Sequence, residues 1–205
     1  MKRIIIGFLM ILSGLWVYGQ EQVGLYFSHN FSTFRFLDNE GEKEDLKFTI
    51  KNGYGFIFQK QFGSNVFAEG LLAYNNKGAN SQIGNFKLDW SFHYVNIALN
   101  GGYRLNLGRL HPYGGLGIYY GRLLKADQFI GTEYYDLMTM DIISMNDSGV
   151  NVFGGVEFTH SRNGSVFIRL NQEMGLLQLE RADDDNQKMF NRTFSIQLGL
   201  LFYIN

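Results

Sequence analysis

The chain has 205 residues, which is enough for one sizeable domain and short for two. Its 18 basic and 19 acidic residues give a formal charge of −1, which excludes the basic face that nucleic-acid binding requires. The sequence contains no cysteine, which excludes a disulfide framework, so an exported chain of this kind must be stabilised by sheet closure and packing.

The remaining composition favours β-structure. Aromatic residues make up 16% of the chain, and there are 25 glycines but a single proline, Pro112. Aromatic side chains favour strands, glycine permits tight turns, and a lone proline leaves the hydrogen bonds of a sheet almost uninterrupted.

The N-terminus has the pattern of an export signal. Lys2 and Arg3 precede an apolar run over residues 4–15, and the small residue Gly19 stands at the expected cleavage position. The alternative, an uncleaved transmembrane anchor, is disfavoured because the apolar run is shorter than the ~20 residues that a membrane span needs. We therefore predict a cleavable signal peptide over residues 1–19.

Period-two alternation runs through most of the predicted mature domain, residues 20–205. In each alternating segment one parity is mainly apolar, while the other is small, polar or charged, as expected for strands with two different faces. The predicted strands are residues 23–32, 48–59, 66–75, 86–105, 111–123, 149–160, 166–179 and 192–205. The Asn163-Gly164 pair between the sixth and seventh strands predicts a tight hairpin.

The connections between these strands alternate in length. The short ones lie near residues 61–65, 106–110 and 161–165. The long ones lie near residues 33–47, 75–86, 124–147 and 180–191. Outer-membrane barrels combine an even strand number, short periplasmic turns and long external loops. The sequence therefore predicts an all-β, eight-stranded antiparallel up-and-down transmembrane β-barrel in the outer membrane of a Gram-negative-type cell.

The last strand shows most clearly which face would meet lipid. Its apolar parity contains Phe194, Ile196, Leu198, Leu200, Phe202 and Ile204. We expect this face to contact lipid and the opposite face to line the interior. We also expect this strand to pair with the first one, because an open strand edge is not tolerated in the hydrocarbon core.

The interior parity carries equal numbers of basic and acidic residues. They are Lys51, Glu69, Arg104, Glu157, Arg169 and Glu173. Isolated charges in a narrow interior are costly, whereas paired ones are tolerated, so these residues predict an internal ion-pair network. An eight-stranded barrel is just wide enough for its side chains to fill, so we also predict a plugged lumen without a permanent pore.

Glu157 and Arg169 flank the predicted Asn163-Gly164 hairpin at equal distances from Asn163. Their shared inward parity predicts that they approach each other across the hairpin. A structural ion pair is the favoured role, and a gate or proton relay is the alternative.

The sequence offers little for catalysis or for cofactor and metal binding. It contains no Gly-x-Ser-x-Gly motif, and its four histidines do not converge with a serine and an acid in the predicted barrel. The run Asp183-Asp184-Asp185 lacks the other ligands of a calcium loop. We assign no catalytic, cofactor-binding or metal-binding residue, and we predict a protein that is not an enzyme.

Two other classes of protein stay open at this point. The first is an exported soluble eight-stranded barrel that binds an apolar ligand inside, as a lipocalin does, with its charged face outside. The second is an outer-membrane lipid-modifying enzyme that uses its external loops.

Several segments in order give the chain a resemblance to a known family. They span residues 53–58, 66–78, 93–104, 112–121 and 194–203, and combine alternation with glycine and aromatic residues. With these segments the chain resembles the PorT-like outer-membrane β-barrel family. The resemblance implies an integral outer-membrane protein with a structural or accessory role in the cell envelope, in secretion or in surface interaction.

The resemblance also implies partners. These are outer-membrane lipid, the barrel-assembly machinery and envelope or secretion-system proteins, with no nucleic acid. Barrels of this type commonly end in an aromatic residue that the assembly machinery reads, whereas this chain ends in Asn205. Phe202 and Tyr203 are therefore the expected C-terminal assembly signal.

Overall fold

A computed structural model describes residues 20–37, 43–44, 46–83, 86–140, 142–161, 163–180 and 188–204. The predicted signal peptide, Asp183-Asp184-Asp185 and Asn205 lie outside the described residues. No helix in the described part of the chain is long and apolar enough to cross a membrane.

The described residues form ten strands, of which eight are long. The strands are β1 (Glu21–Leu37), β2 (Lys43–Glu44), β3 (Thr49–Phe62), β4 (Val66–Ile83), β5 (Phe86–Arg104), β6 (Leu110–Ile130), β7 (Glu133–Asp136), β8 (Asn146–Ser161), β9 (Gly164–Gly175) and β10 (Lys188–Ile204). The eight long strands follow one another around an antiparallel ring, and β2 and β7 are short additions paired with β1 and β6.

The ring closes where β10 pairs with β1. This pairing runs from Glu21 opposite Ile204 to Leu37 opposite Lys188, so both strands are paired along their whole length. The predicted eight-stranded up-and-down barrel is therefore confirmed, including the pairing of the first strand with the last.

Side-chain burial confirms which face of each strand points inward. On β10, Leu198 is 58% exposed on the outer surface, whereas the neighbouring Gln197 is 5% exposed inside. The same alternation on the other long strands leaves a wide apolar belt around the barrel. A soluble monomer rarely exposes so large an apolar surface. The lipocalin-like alternative is therefore wrong, since the apolar face lies outside and the charged face inside.

Six of the eight long strands are longer than the sequence predicted, whereas β5 and β9 are slightly shorter. The long strands contain 12 to 21 residues, whereas ~9–11 residues suffice to cross a bilayer. The predicted loop over residues 75–86 is mostly strand, because β4 reaches Ile83 and β5 begins at Phe86. The predicted loop over residues 124–147 likewise contains the end of β6 and all of β7. The sheet therefore continues past the lipid belt on the external side.

Two details of the sheet position side chains for the site. Gly102 faces the ring of Phe67, and a Cβ at this position would lie 2.3 Å from Phe67 Cζ, so glycine makes room for the aromatic ring in the lumen. A bulge near His93 places Lys125 opposite His93 and Leu123 opposite Tyr94. Beyond the bulge, the inward-facing positions on β6 change from odd to even residue numbers.

Candidate functional site

Buried ion pairs stack along the lumen, and the first lies at the periplasmic end. Arg104 on β5 donates from Nη1 to Glu157 Oε2 at 2.8 Å, and it also donates from Nη2 to Gln61. The other Glu157 oxygen accepts hydrogen bonds from Ser165 Oγ at 2.7 Å and Gln22 Nε2 at 3.4 Å. Side chains from three other strands thus donate to one carboxylate, and Gln61 joins the cluster through Arg104.

The second ion pair crosses the lumen near its middle. Arg169 on β9 donates from Nη1 and Nη2 to the two oxygens of Glu69 on β4, at 2.7 and 2.8 Å. Asn100 donates to Glu69 Oε1 at 2.8 Å, Arg169 Nε donates to Tyr113 at 3.2 Å, and the guanidinium lies 4.6 Å from the centre of the Phe153 ring. Such a two-pronged pair fixes both geometry and charge, and here it ties two strands that are not neighbours in the sheet.

The third cluster lies towards the external side. Lys77 Nζ is 2.8 Å from Glu173 Oε2 and 3.6 Å from Asp147 Oδ2, and it lies 4.8 Å from the centre of the Tyr119 ring. Asp147 Oδ2 also accepts hydrogen bonds from Asn191 at 2.8 Å and from Tyr119 at 3.1 Å. Two carboxylates therefore share the Lys77 ammonium, and the neutral side chains of Asn191 and Tyr119 donate further hydrogen bonds to one of them.

Five of the six charged residues singled out from the sequence take part in these clusters. The exception is Lys51, which is half-buried near the external end of β3 and pairs with Asp89 at 3.3 Å. The sequence analysis missed Lys77 and Asp147, because both fell in predicted loops. Each lies at an inward-facing position of its strand. Extending the alternating pattern further along the sequence would therefore have predicted both as lumen residues.

The predicted pairing of Glu157 with Arg169 is wrong. In the β8–β9 hairpin Arg169 lies opposite Gly155 and Glu157 lies opposite Phe167. The strands close at Ser161 opposite Gly164, and the register shifts once more between Ser161 and Thr159. Each of the two charged residues therefore finds its ionic partner across the barrel rather than across the hairpin.

Side chains fill most of the space between these clusters. A cavity of about 20 Å³ lies between them, lined by residues such as Tyr26, Asn96 and Glu173. That is room for about one water molecule. Above the third cluster the lumen becomes apolar, with Phe92 and Leu123 among the buried side chains. The described interior is therefore packed through its polar layers, and an apolar layer lies above them on the external side.

A second polar group lies on the outer surface, just above the apolar belt. Tyr74 Oη is 2.6 Å from His93 Nδ1, and His93 Nε2 is 3.4 Å from Ser91 Oγ. Ser91 Oγ lies 3.1 Å from Asn76 Oδ1, to which it is assigned as donor. This assignment fits the His93 tautomer that is protonated on Nε2 and accepts from Tyr74 at Nδ1. The sequence analysis did not bring these residues together, although Ser91 and His93 share one parity.

Asp127 lies near this group on the external part of β6. Its carboxylate accepts hydrogen bonds from Lys125 Nζ at 2.6 Å and from Tyr134 Oη at 2.9 Å. Both hydrogen bonds raise the pKa of the group that donates them, Lys125 and Tyr134. The carboxylate thus holds β7 against the edge of the barrel.

The expected assembly signal lies at the periplasmic end of β10. Phe202 points outward, is 48% exposed, and pairs with Val23 on β1 and Gly164 on β9. Tyr203 is half-buried, and its backbone nitrogen donates to Asn163 at 3.1 Å. The two aromatic residues therefore stand on opposite faces of the closing strand.

Solved outer-membrane proteins share this fold. OprG from Pseudomonas aeruginosa is 14% identical with a TM-score of 0.61, over 91% of this chain and 96% of OprG. Neisserial surface protein A is 12% identical with a TM-score of 0.55, over 89% of this chain and 96% of that protein. A major outer membrane protein from Thermus thermophilus is 10% identical with a TM-score of 0.50, over 90% and 99% of the two chains.

No family model and no curated protein matches the sequence, so the PorT-like resemblance stays a prediction. The shared fold, together with the apolar belt and the polar membrane-embedded lumen, makes this chain an integral outer-membrane β-barrel protein.

The contribution of the Arg169–Glu69 pair to the stability of the barrel can be measured. Replacing Arg169 by Met should lower the free energy of unfolding by about 3–5 kcal/mol, because it leaves Glu69 buried without its charge partner. Urea unfolding of the barrel in lipid vesicles measures the change. Lys60→Met is the matched control, since Lys60 pairs with Glu21 at the partly exposed periplasmic rim, and it should cost about 0–1 kcal/mol. Equal losses for the two variants would contradict a stabilising role for the lumen pair.

Proposed function

We propose that the protein is a non-enzymatic outer-membrane barrel with a closed lumen, which serves a structural or accessory role in the cell envelope. The observation that carries the proposal is the two-pronged pair between Arg169 and Glu69, which spans the lumen from β9 to β4. An open channel would need this pair to separate, leaving both charges in a narrow interior with few water molecules.

The layers above and below support closure. The Arg104–Glu157 pair occupies the periplasmic end, and Lys77 with its two carboxylates lies on the external side. The charged side chains of the three layers are buried, except that Glu173 is partly exposed. A solute would have to break each layer in turn, and each break exposes an unpaired buried charge.

A closed lumen predicts that the protein does not conduct ions across a membrane. We expect the purified protein to give no steady single-channel conductance in planar lipid bilayers, since no water-filled path connects the two ends. A porin added to the same bilayer serves as the positive control. Reproducible conductance steps from the folded protein, absent from a heat-denatured sample, would overturn the closed-lumen proposal.

The geometry of the outer polar group supports a role without catalysis. A serine nucleophile needs a histidine nitrogen with a free lone pair to take its proton. Here Ser91 is assigned as donor to Asn76, and that assignment fits the His93 tautomer in which Nε2, the nitrogen near Ser91, carries the proton. The third member of the chain is the neutral Tyr74, which does not stabilise a charged histidine as a carboxylate would.

The absence of turnover can be measured directly. We expect no release of fatty acid from phospholipid or lipopolysaccharide when the protein is incubated in mixed vesicles. Ser91→Ala and His93→Ala supply the matched comparison. Lipid hydrolysis by the unchanged protein that disappears in both variants would show an enzyme and contradict the proposal.

We also propose that the chain is a relative of the PorT-like barrels and that the barrel-assembly machinery recognises its closing strand. Phe202 supports recognition because it is an exposed aromatic side chain on the strand that closes the barrel against β1. Envelope or secretion-system proteins are the partners proposed for the accessory role. Outer-membrane lipid is the partner of the apolar belt.

Recognition by the assembly machinery can be separated from simple lipid contact. Phe202→Ser should lower the amount of folded barrel in the outer membrane several-fold. Phe158→Ser is the matched control, because Phe158 is 44% exposed at the same end of the barrel but lies on β8. The heat-dependent gel shift of outer-membrane fractions reports the folded amount. Equal decreases for the two variants would assign Phe202 to lipid contact and not to assembly.

A further inference from the structure

A cavity of about 500 Å³ lies at the external end of the lumen, above the ion-pair clusters. Inward-facing side chains of β1, β4, β5, β6 and β10 form its walls, and residues of the external connections complete it. Its lining is mostly apolar and includes Phe34, Trp90, Ile143 and Met189. The space differs sharply from the cavity of about 20 Å³ between the clusters.

The size of this cavity sets it apart from ordinary packing. Protein interiors contain few voids larger than a water molecule. Pockets for small molecules have volumes of about 300–1,000 Å³ and are mostly apolar with a few polar groups. In both volume and lining the external cavity belongs to the second class.

The floor of the cavity closes it towards the periplasm. Phe34 contacts Trp90 edge-on at 6.4 Å between ring centres, and it contacts Phe92 at 5.0 Å. Phe92 and Leu123 are buried in the apolar cluster below. The walls are thus supported by packed aromatic rings, and access lies on the external side.

The polar lining restricts the charge of a ligand. Ser81 and Gln128 contribute uncharged hydrogen-bonding groups. The described lining residues include no Lys, Arg or His, and burying an anion in an apolar cavity without a cationic partner is costly. The lining therefore favours a neutral molecule whose polar end reaches the rim.

We propose that this cavity is a binding site for an uncharged, largely apolar small molecule that enters from the external side. The molecule places its apolar part against Phe34, Trp90 and Met189 and its polar end towards Ser81 and Gln128. The floor prevents its passage through the barrel, so the site captures the ligand and does not transport it. This inference goes beyond the proposed function and does not depend on it, because a barrel with a catalytic role could hold the same pocket.

Trp90 supplies a probe inside the proposed site. The sequence has two tryptophans, and Trp16→Phe removes the other one, so that Trp90 alone fluoresces. The full chain is expressed with this change and the folded protein is placed in lipid nanodiscs. It is titrated with decanol that carries a bromine on its last carbon, since bromine quenches tryptophan on contact. Saturable quenching of Trp90 is the expected result.

Three comparisons serve as controls for the titration. Decanoate with the same terminal bromine carries a negative charge and should bind at least about tenfold more weakly than the alcohol. Ser81→Phe fills the cavity and should abolish saturation, whereas Ser161→Phe alters an exposed serine at the opposite end and should leave it unchanged. A variant with Trp90→Phe and Leu170→Trp moves the probe to the lipid belt and should report only unsaturable quenching through the bilayer.

Other outcomes overturn the proposal. Quenching of Trp90 that follows the lipid-belt control without saturating would exclude a site. Equal or tighter binding of the carboxylate would refute the uncharged class of ligand. Gln128→Phe fills the same space from β6, so a fold defect in Ser81→Phe does not block the test. Unchanged saturation in a folded filling variant would exclude this cavity, and conductance or lipid turnover would leave the result unaffected.

Discussion

The pairing of β10 with β1 is the interaction on which the rest of the structure depends. In hydrocarbon no water can satisfy a free backbone N–H or C=O group, so a sheet in a membrane must close on itself. The seam from Glu21 opposite Ile204 to Leu37 opposite Lys188 achieves this without a gap. Closure with eight long strands then fixes a narrow interior, and that width determines what the inward side chains can be.

A narrow interior requires that its charges be paired. Neutral polar groups such as Asn100 and Tyr113 can share hydrogen bonds, but Arg169 and Glu69 tolerate burial because each neutralises the other. The pairs also join strands that are not neighbours, so they resist flattening of the barrel. The cluster around Lys77 differs. Asp147 accepts hydrogen bonds from two neutral side chains in addition to its contact with the Lys77 ammonium. Charge is therefore balanced one to one in the two lower layers, whereas in the third layer neutral donors help one ammonium to satisfy two carboxylates.

The alternation of side chains made the faces of the strands predictable from sequence, because lipid outside and a packed interior impose opposite demands on neighbouring residues. The strand ends were less predictable. Outside the lipid belt the outer face becomes polar, so the contrast that marks a strand weakens, and Lys77 and Asp147 were assigned to loops. The pairing of Glu157 depended on the register at a hairpin. A register shift near Thr159 changed which residue lies opposite Glu157, and sequence spacing alone does not reveal such a shift.

The same weakening of contrast explains why an apolar cavity occurs in a barrel with a polar lumen. Within the membrane the outer face is apolar and the inner face is polar. Above the belt the outer face carries Asp89 and Asp127, whereas the inner face carries Phe34 and Phe92. The bulge near His93 lies where this change takes place on β6. The external part of the barrel is thus built like a soluble domain, with water outside and an apolar core. A cavity there obeys the packing rules of a soluble binding pocket, although the strands that form it are anchored in lipid.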